Sequence, residues 1–139
     1  MNAPVVGGLG GTYAGSPIGL AAANAVIDVI EEENLCARSV ALGEKLTRRF
    51  ENLKTDIPAI REVRGYGSMV AVEFTKPGTN QPDAELPKKA QALALEKGLI
   101  ILTCGTYYNV IRFLYPLTIE DTVFDEALDI LEASLRAAQ

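Results

Sequence analysis

Apolar positions recur along the chain with two periods, and the changes of period divide it into elements. From Pro17 to about residue 33 the helix pattern is apolar on nearly every side: Ile18, Leu20, Ala21, Ala22, Ala25, Val26, Ile27, Val29 and Ile30. Ser16-Pro17 predicts its start, with a hydroxyl at the N-cap and proline at the first helical position, where its missing N–H is no loss. A helix apolar all round is normally buried all round, which a small domain has trouble achieving alone. Residues 35–54 differ. Leu35, Leu42, Leu46, Phe50 and Leu53 form one stripe, and Arg38, Glu44, Lys45, Arg48, Arg49 and Glu51 make the wet side.

Pro58 ends that segment. After Ile60 to Val63, the run Arg64-Gly65-Tyr66-Gly67-Ser68 reads as a tight turn into a strand from Ser68 to Phe74. Val70, Val72 and Phe74 lie on one face of the strand, and Met69, Ala71 and Glu73 on the other. Residues 75–82 are a turn-rich loop. A helix over 83–97 follows, closed by Gly98. Leu99–Thr103 and Asn109–Leu114 predict two strands of a hairpin, the second broken by Pro116. Thr118 is the expected cap of a last helix, with Glu120 and Asp121 in its first turn and Phe124, Ala127, Leu128, Leu131 and Leu135 as its stripe.

This order predicts an α/β (α+β) fold, a small and mainly antiparallel sheet of three or four strands with helices packed on one face. Residues 1–34, a glycine-rich loop and the all-round apolar helix, separate by pattern from residues 35–139.

Composition narrows the function. Of 139 residues, 48% are hydrophobic, enough for a core, and the net charge of −5 disfavours phosphate backbones and anionic lipid. Neither nucleic acid nor membrane is an expected partner. The apolar stretch Ile18–Ile30 carries Asn24 and Asp28 and is too short to cross a bilayer. The opening residues do not read as a signal peptide, so none is expected. The absence of histidine removes Ser–His and Cys–His catalysis and the commonest metal ligand, and Cys36 and Cys104 are not spaced as a metal pair. No metal site is expected. Both cysteines read as buried free thiols, which fits a reducing, cytoplasmic setting.

Three stretches could carry chemistry. In GGLGGTYAGSP (7–17), glycines allow close backbone approach to an anion, a helix N-terminus follows, and the Thr12 hydroxyl adds a donor. These suit a phosphate, or the stretch is a plain flexible leader. Arg112 sits in the apolar strand NVIRFLYPL, where its guanidinium needs a partner. A substrate carboxylate bound by two hydrogen bonds would serve, as would an internal salt bridge or a wet sheet face. In the third stretch, around Tyr66, a lone G-x-G is better read as a turn than as a nucleotide site.

In this order and spacing, GGLGGTYAGSP (7–17), VRGYGSMVAVEF (63–74) and LTCGTYYNVIRFLYPLTI (102–119) resemble the class III pyridoxal-phosphate aminotransferases, most of all their bacterial 4-aminobutyrate branch. The third phrase points to that branch rather than to the ornithine branch. The resemblance covers essentially the whole chain but only the last part of such an enzyme. It implies that residues 1–34 end the large domain at a dimer interface and that residues 35–139 form the C-terminal small domain of a fold-type I transferase. It further implies that Thr12 binds the phosphate of pyridoxal 5'-phosphate from across the dimer, with Gly11 as its backbone neighbour in that loop. Arg112 would grip the α-carboxylate of glutamate or 2-oxoglutarate.

The family's Schiff-base lysine, its aspartate on the pyridine nitrogen and its ring-stacking aromatic precede the glycine motif, so the resemblance assigns no catalytic residue here. Lys45, Lys54, Lys76, Lys88, Lys89 and Lys97 all lie in polar helix faces or turns, and a Schiff-base lysine needs a desolvated site. The expectation is the C-terminal part of a homo-oligomeric transaminase acting on amino acids and 2-oxo acids, inactive by itself. The alternatives are a non-catalytic interaction module and the same part of an ornithine or acetylornithine enzyme.

Overall fold

The computed structural model describes residues 7, 8 and 10–139. The rest of the glycine-rich stretch, residues 1–6 and Leu9, lies outside the described residues. The elements are α1 (Pro17–Glu32), α2 (Leu35–Leu53), β1 (Ile60–Tyr66), β2 (Met69–Phe74), α3 (Glu85–Glu96), β3 (Leu102–Cys104), β4 (Val110–Arg112) and α4 (Asp121–Ala138). The chain divides into two compact units, one ending at Leu35 and one spanning Cys36–Gln139.

In the first unit α1 starts where Ser16-Pro17 places it. The Ser16 Oγ accepts from the Gly19 N–H at 3.4 Å. No residue of α1 is buried, so its apolar sides find no cover within that unit.

The second unit is an antiparallel sheet in the order β1-β2-β4-β3, covered on one face by helices. Leu42, Leu46 and Phe50 of α2, Leu86 and Ala90 of α3, and Phe124, Leu128, Leu131 and Leu135 of α4 share one core with Val70, Val72, Phe74 and Ile111 of the sheet. The expected stripes are thus the buried faces, and the fold is the α/β arrangement expected. Burying a leucine or phenylalanine contributes roughly 1.5–3 kcal/mol, so this shared core is what keeps three helices on one side.

The structure departs from the sequence pattern in several places. Residues 60–66 form a full strand, and the turn is only Gly67-Ser68, because Tyr66 pairs with Met69. Gly67 takes φ +53°, a left-handed conformation that favours glycine. β3 and β4 are shorter than expected. Thr118 does not cap α4: Glu120 holds the cap position without a side-chain bond. Arg38 instead ties down that end, donating to the Ile119 carbonyl at 2.8 Å and pairing with Asp121 at 2.8 Å. Both cysteines are free, but Cys36 is exposed and Cys104 half-buried. One residue past Leu35, Cys36 is turned about 100° off the buried stripe of α2.

Asp83, one residue before the Ala84 N-cap of α3, accepts from the Glu85 N–H at 3.0 Å and the Leu86 N–H at 3.3 Å. Gly98 closes the helix at φ +84°. Among the described residues no helix is long and apolar enough to cross a membrane.

Candidate functional site

In the first unit, Gly11 and Thr12 open a pair of turns leading into α1. The Ala14 N–H donates to the Gly11 carbonyl at 3.1 Å, and the Ser16 N–H donates to the Tyr13 carbonyl at 3.1 Å. Gly15 at φ +78° redirects the chain toward the helix. Gly10, Gly11 and Thr12 are exposed, and the Thr12 hydroxyl has no hydrogen-bond partner among the described residues. A Cβ added at Gly10 would meet nothing within 4 Å, and one at Gly11 only the Ala14 Cβ at 3.7 Å. The turn therefore offers an approachable backbone and an uncommitted hydroxyl, which is what a phosphate requires.

In the second unit, Arg112 ends β4. Its cross-strand partners are Ala71 and Leu102, so it rises from the sheet face that α2, α3 and α4 leave open. Its side chain is exposed and forms no ion pair among the described residues. The open face also holds Arg64, Glu62 and Glu73. Arg64 Nη1 lies 2.7 Å from Glu73 Oε2 and 3.0 Å from Glu62 Oε2. The Glu73 hydrogen bond, with the charges of both carboxylates, holds the Arg64 guanidinium above its ordinary value. Two arginines one strand apart on either side of β2 are thus in different states, Arg64 neutralised and Arg112 free. The sequence pattern singles out Arg112 and passes over Arg64 and Glu73. Taken as a turn residue, Arg64 has no cross-strand neighbours; only the hairpin register gives it any.

Gly11 and Thr12 belong to the first unit and Arg112 to the second. No lysine is buried: Lys45 pairs with Asp125 at 2.5 Å, Lys54 pairs with Glu51 at 2.8 Å, and Lys76, Lys88, Lys89 and Lys97 are exposed. Among the described residues no cluster could hold a metal ion. A cavity of about 310 Å3 lies between the β3–β4 edge and α4, lined by apolar side chains together with Arg112 and Tyr115.

The loop from β3 to β4 turns at Gly105, φ +87°, and Tyr108, φ +55°. Buried Asn109 anchors it, with its Nδ2 donating to the Phe74 carbonyl at 2.8 Å. That loop and the short strand it feeds place Arg112 at the edge of the open face.

Known proteins share both the sequence and this architecture. The family model for class III aminotransferases matches residues 1–135. The chain is 54% identical over 132 residues to a 5-aminovalerate aminotransferase of Pseudomonas putida, covering 95% of this chain and 31% of that protein. It is 48% identical over 132 residues to a 4-aminobutyrate aminotransferase of Escherichia coli, covering 94% of this chain and 31% of that protein. The chain therefore spans about a third of the length of these relatives. Among solved structures, a transaminase from the marine bacterium Virgibacillus superposes with a TM-score of 0.82 at 28% identity, over 94% of this chain and 30% of that one. A Bacillus anthracis aminotransferase gives 0.81 at 26% identity, over 91% and 29%. With a family model running through nearly every residue and a backbone that superposes on a transaminase over 94% of its length, the chain belongs to the class III aminotransferase family.

Proposed function

We propose that the protein carrying this chain is a pyridoxal-phosphate-dependent transaminase that moves the amino group of 4-aminobutyrate to 2-oxoglutarate, giving succinate semialdehyde and glutamate. The observation that carries the reading is Arg112, an exposed guanidinium on the open sheet face with no ion pair among the described residues. A guanidinium offers two parallel N–H donors to a carboxylate, so Arg112 orients the dicarboxylate. When bound, pyridoxal phosphate would supply an amine-reactive carbonyl and an electron-withdrawing ring. Toward that group this chain contributes Thr12 and Gly11, the hydroxyl donating to a phosphate oxygen and the glycine keeping the backbone clear. None of its lysines is desolvated, so the chain alone is expected to hold the cofactor weakly and turn nothing over.

Relatives of the 4-aminobutyrate and 5-aminovalerate types both act on amines carried at the far end of a carboxylic acid. The higher identity to the 5-aminovalerate enzyme supports that longer donor as a second reading. Nothing observed favours a non-catalytic module.

The experiment is kinetic, on the full-length protein with 4-aminobutyrate, 5-aminovalerate and ornithine as donors. Arg112→Ala should weaken use of 2-oxoglutarate and glutamate by about 2–4 kcal/mol in kcat/KM, with cofactor affinity little changed. Thr12→Val should do the converse, raising the cofactor dissociation constant by roughly 1.5–3 kcal/mol in free energy at nearly unchanged donor preference. An unchanged Michaelis constant for 2-oxoglutarate in Arg112→Ala would remove the carboxylate role.

A further inference from the structure

The open sheet face holds a carboxylate that could occupy Arg112 and does not. The register sets Arg64 opposite Ala71 and Ala71 opposite Arg112, so the two guanidiniums flank β2 on one face. Glu73, two residues along β2 from Ala71, rises from that same face. It is a diagonal neighbour of both arginines, and such neighbours lie about 7–8 Å apart, within reach of long side chains. Even pairing would give Glu62 to Arg64 and Glu73 to Arg112. The observed arrangement places both carboxylates on Arg64, at 3.0 and 2.7 Å.

We propose that Arg64 is a positioning residue that holds Glu73 away from Arg112 and so keeps the Arg112 guanidinium open to a substrate carboxylate. This rests on the reading of Arg112 as the carboxylate-binding arginine. The chemistry is competition. A carboxylate tethered one diagonal away is present at high effective concentration, and an arginine it has neutralised binds an incoming anion less well. Releasing Glu73 therefore raises the substrate concentration needed for saturation but leaves the reaction of bound substrate alone.

The test compares Arg64→Met, Glu73→Gln, the double variant and Arg112→Ala in the full-length protein, with 2-oxoglutarate as the varied substrate. Arg64→Met should raise its Michaelis constant about three- to tenfold, with kcat within about twofold, and the rise should shrink at high salt. Adding Glu73→Gln should bring the constant back near the starting value, a rescue that a merely structural role for Arg64 would not give. An unchanged constant in Arg64→Met, or a double variant as impaired as the single, overturns the proposal while Arg112→Ala stays impaired. An unchanged constant in Arg112→Ala overturns the underlying reading as well. Should Arg64→Met fail to fold, Glu73→Gln alone in the full-length protein decides: it should leave the 2-oxoglutarate Michaelis constant within about twofold of the parent, and a fall of about threefold or more would mean that Glu73 already serves Arg112 and overturn the proposal.

Discussion

Gly43 sits in the middle of α2, where glycine costs about 1 kcal/mol relative to alanine. Its reason is a contact: a Cβ there would lie 1.9 Å from the Gly67 carbonyl oxygen. The β1–β2 turn is pressed onto α2 at this point, and polar bonds hold it there. The Ser68 N–H donates to Ser39 Oγ and the Ser68 hydroxyl to the Ser39 carbonyl, both at 3.0 Å, and the Tyr115 hydroxyl donates to Ser68 Oγ at 3.1 Å. Gly43→Ala should therefore destabilise the fold by about 1–3 kcal/mol despite the better helix propensity, read as a lowered midpoint of thermal unfolding. An unchanged or raised midpoint would show that the turn can move aside. The sequence makes Gly67 legible as a turn glycine. Gly43 looks like any residue on a helix, since what it touches lies across the fold.

At the scale of elements, α2 and α4 are joined along one edge by ion pairs. Arg38 meets Asp121, Lys45 meets Asp125, Arg49 meets Asp129 and Glu132, and Arg136 joins Glu132 to Asp56. Burial works against ionisation of Glu132, but hydrogen bonds from Arg49 and Arg136 outweigh it, so its carboxyl lies below the ordinary value. The hydrogen bond from Arg38 lowers Asp121 likewise. A carboxyl that ionises more readily when folded adds stability that is complete above its unfolded pKa and is lost as pH falls through the folded one. Acid should therefore loosen this edge below about pH 4.5, the ordinary range of glutamate. Glu132→Gln should lower stability at neutral pH by about 1 kcal/mol and flatten the acid limb, with the difference from the parent vanishing at the lowest pH. Denaturant unfolding across a pH series checks this; an equally steep acid limb in the variant would count against it. Sequence pattern puts Arg38, Lys45 and Arg49 on the wet side of α2, and they are indeed off the core. That this side faces the acids of α4 follows from how both stripes dock on one sheet.

The whole molecule presents an unmet demand. Within its unit α1 leaves Ile18, Leu20, Val26 and Ile27 more than half exposed, and contiguous apolar surface of this kind marks an interface. The expected outcome for the isolated chain is self-association through α1. Light scattering coupled to size exclusion should show a mass that rises with concentration, and Ile27→Lys should shift it toward monomer. A monomer at all concentrations would sink this expectation. The all-round apolar pattern is legible in the sequence alone, because helical periodicity needs only neighbouring residues. What would cover it is not, because helical periodicity carries no information about distant residues or partner chains.

By itself the sequence determined the helices, the core stripes, the capped start of α1, the family motifs and the two anion-binding candidates, because propensity, periodicity and motif spacing are local. Only the tertiary structure decided which residues face each other. It made residues 60–66 a strand, moved the start of α4 to Asp121 under Arg38, exposed Cys36, and gave both Glu62 and Glu73 to Arg64 while leaving Arg112 unpaired among the described residues. Each of these depends on strand register and helix docking. Those are set by the summed burial of many apolar groups and appear in no single stretch of the chain.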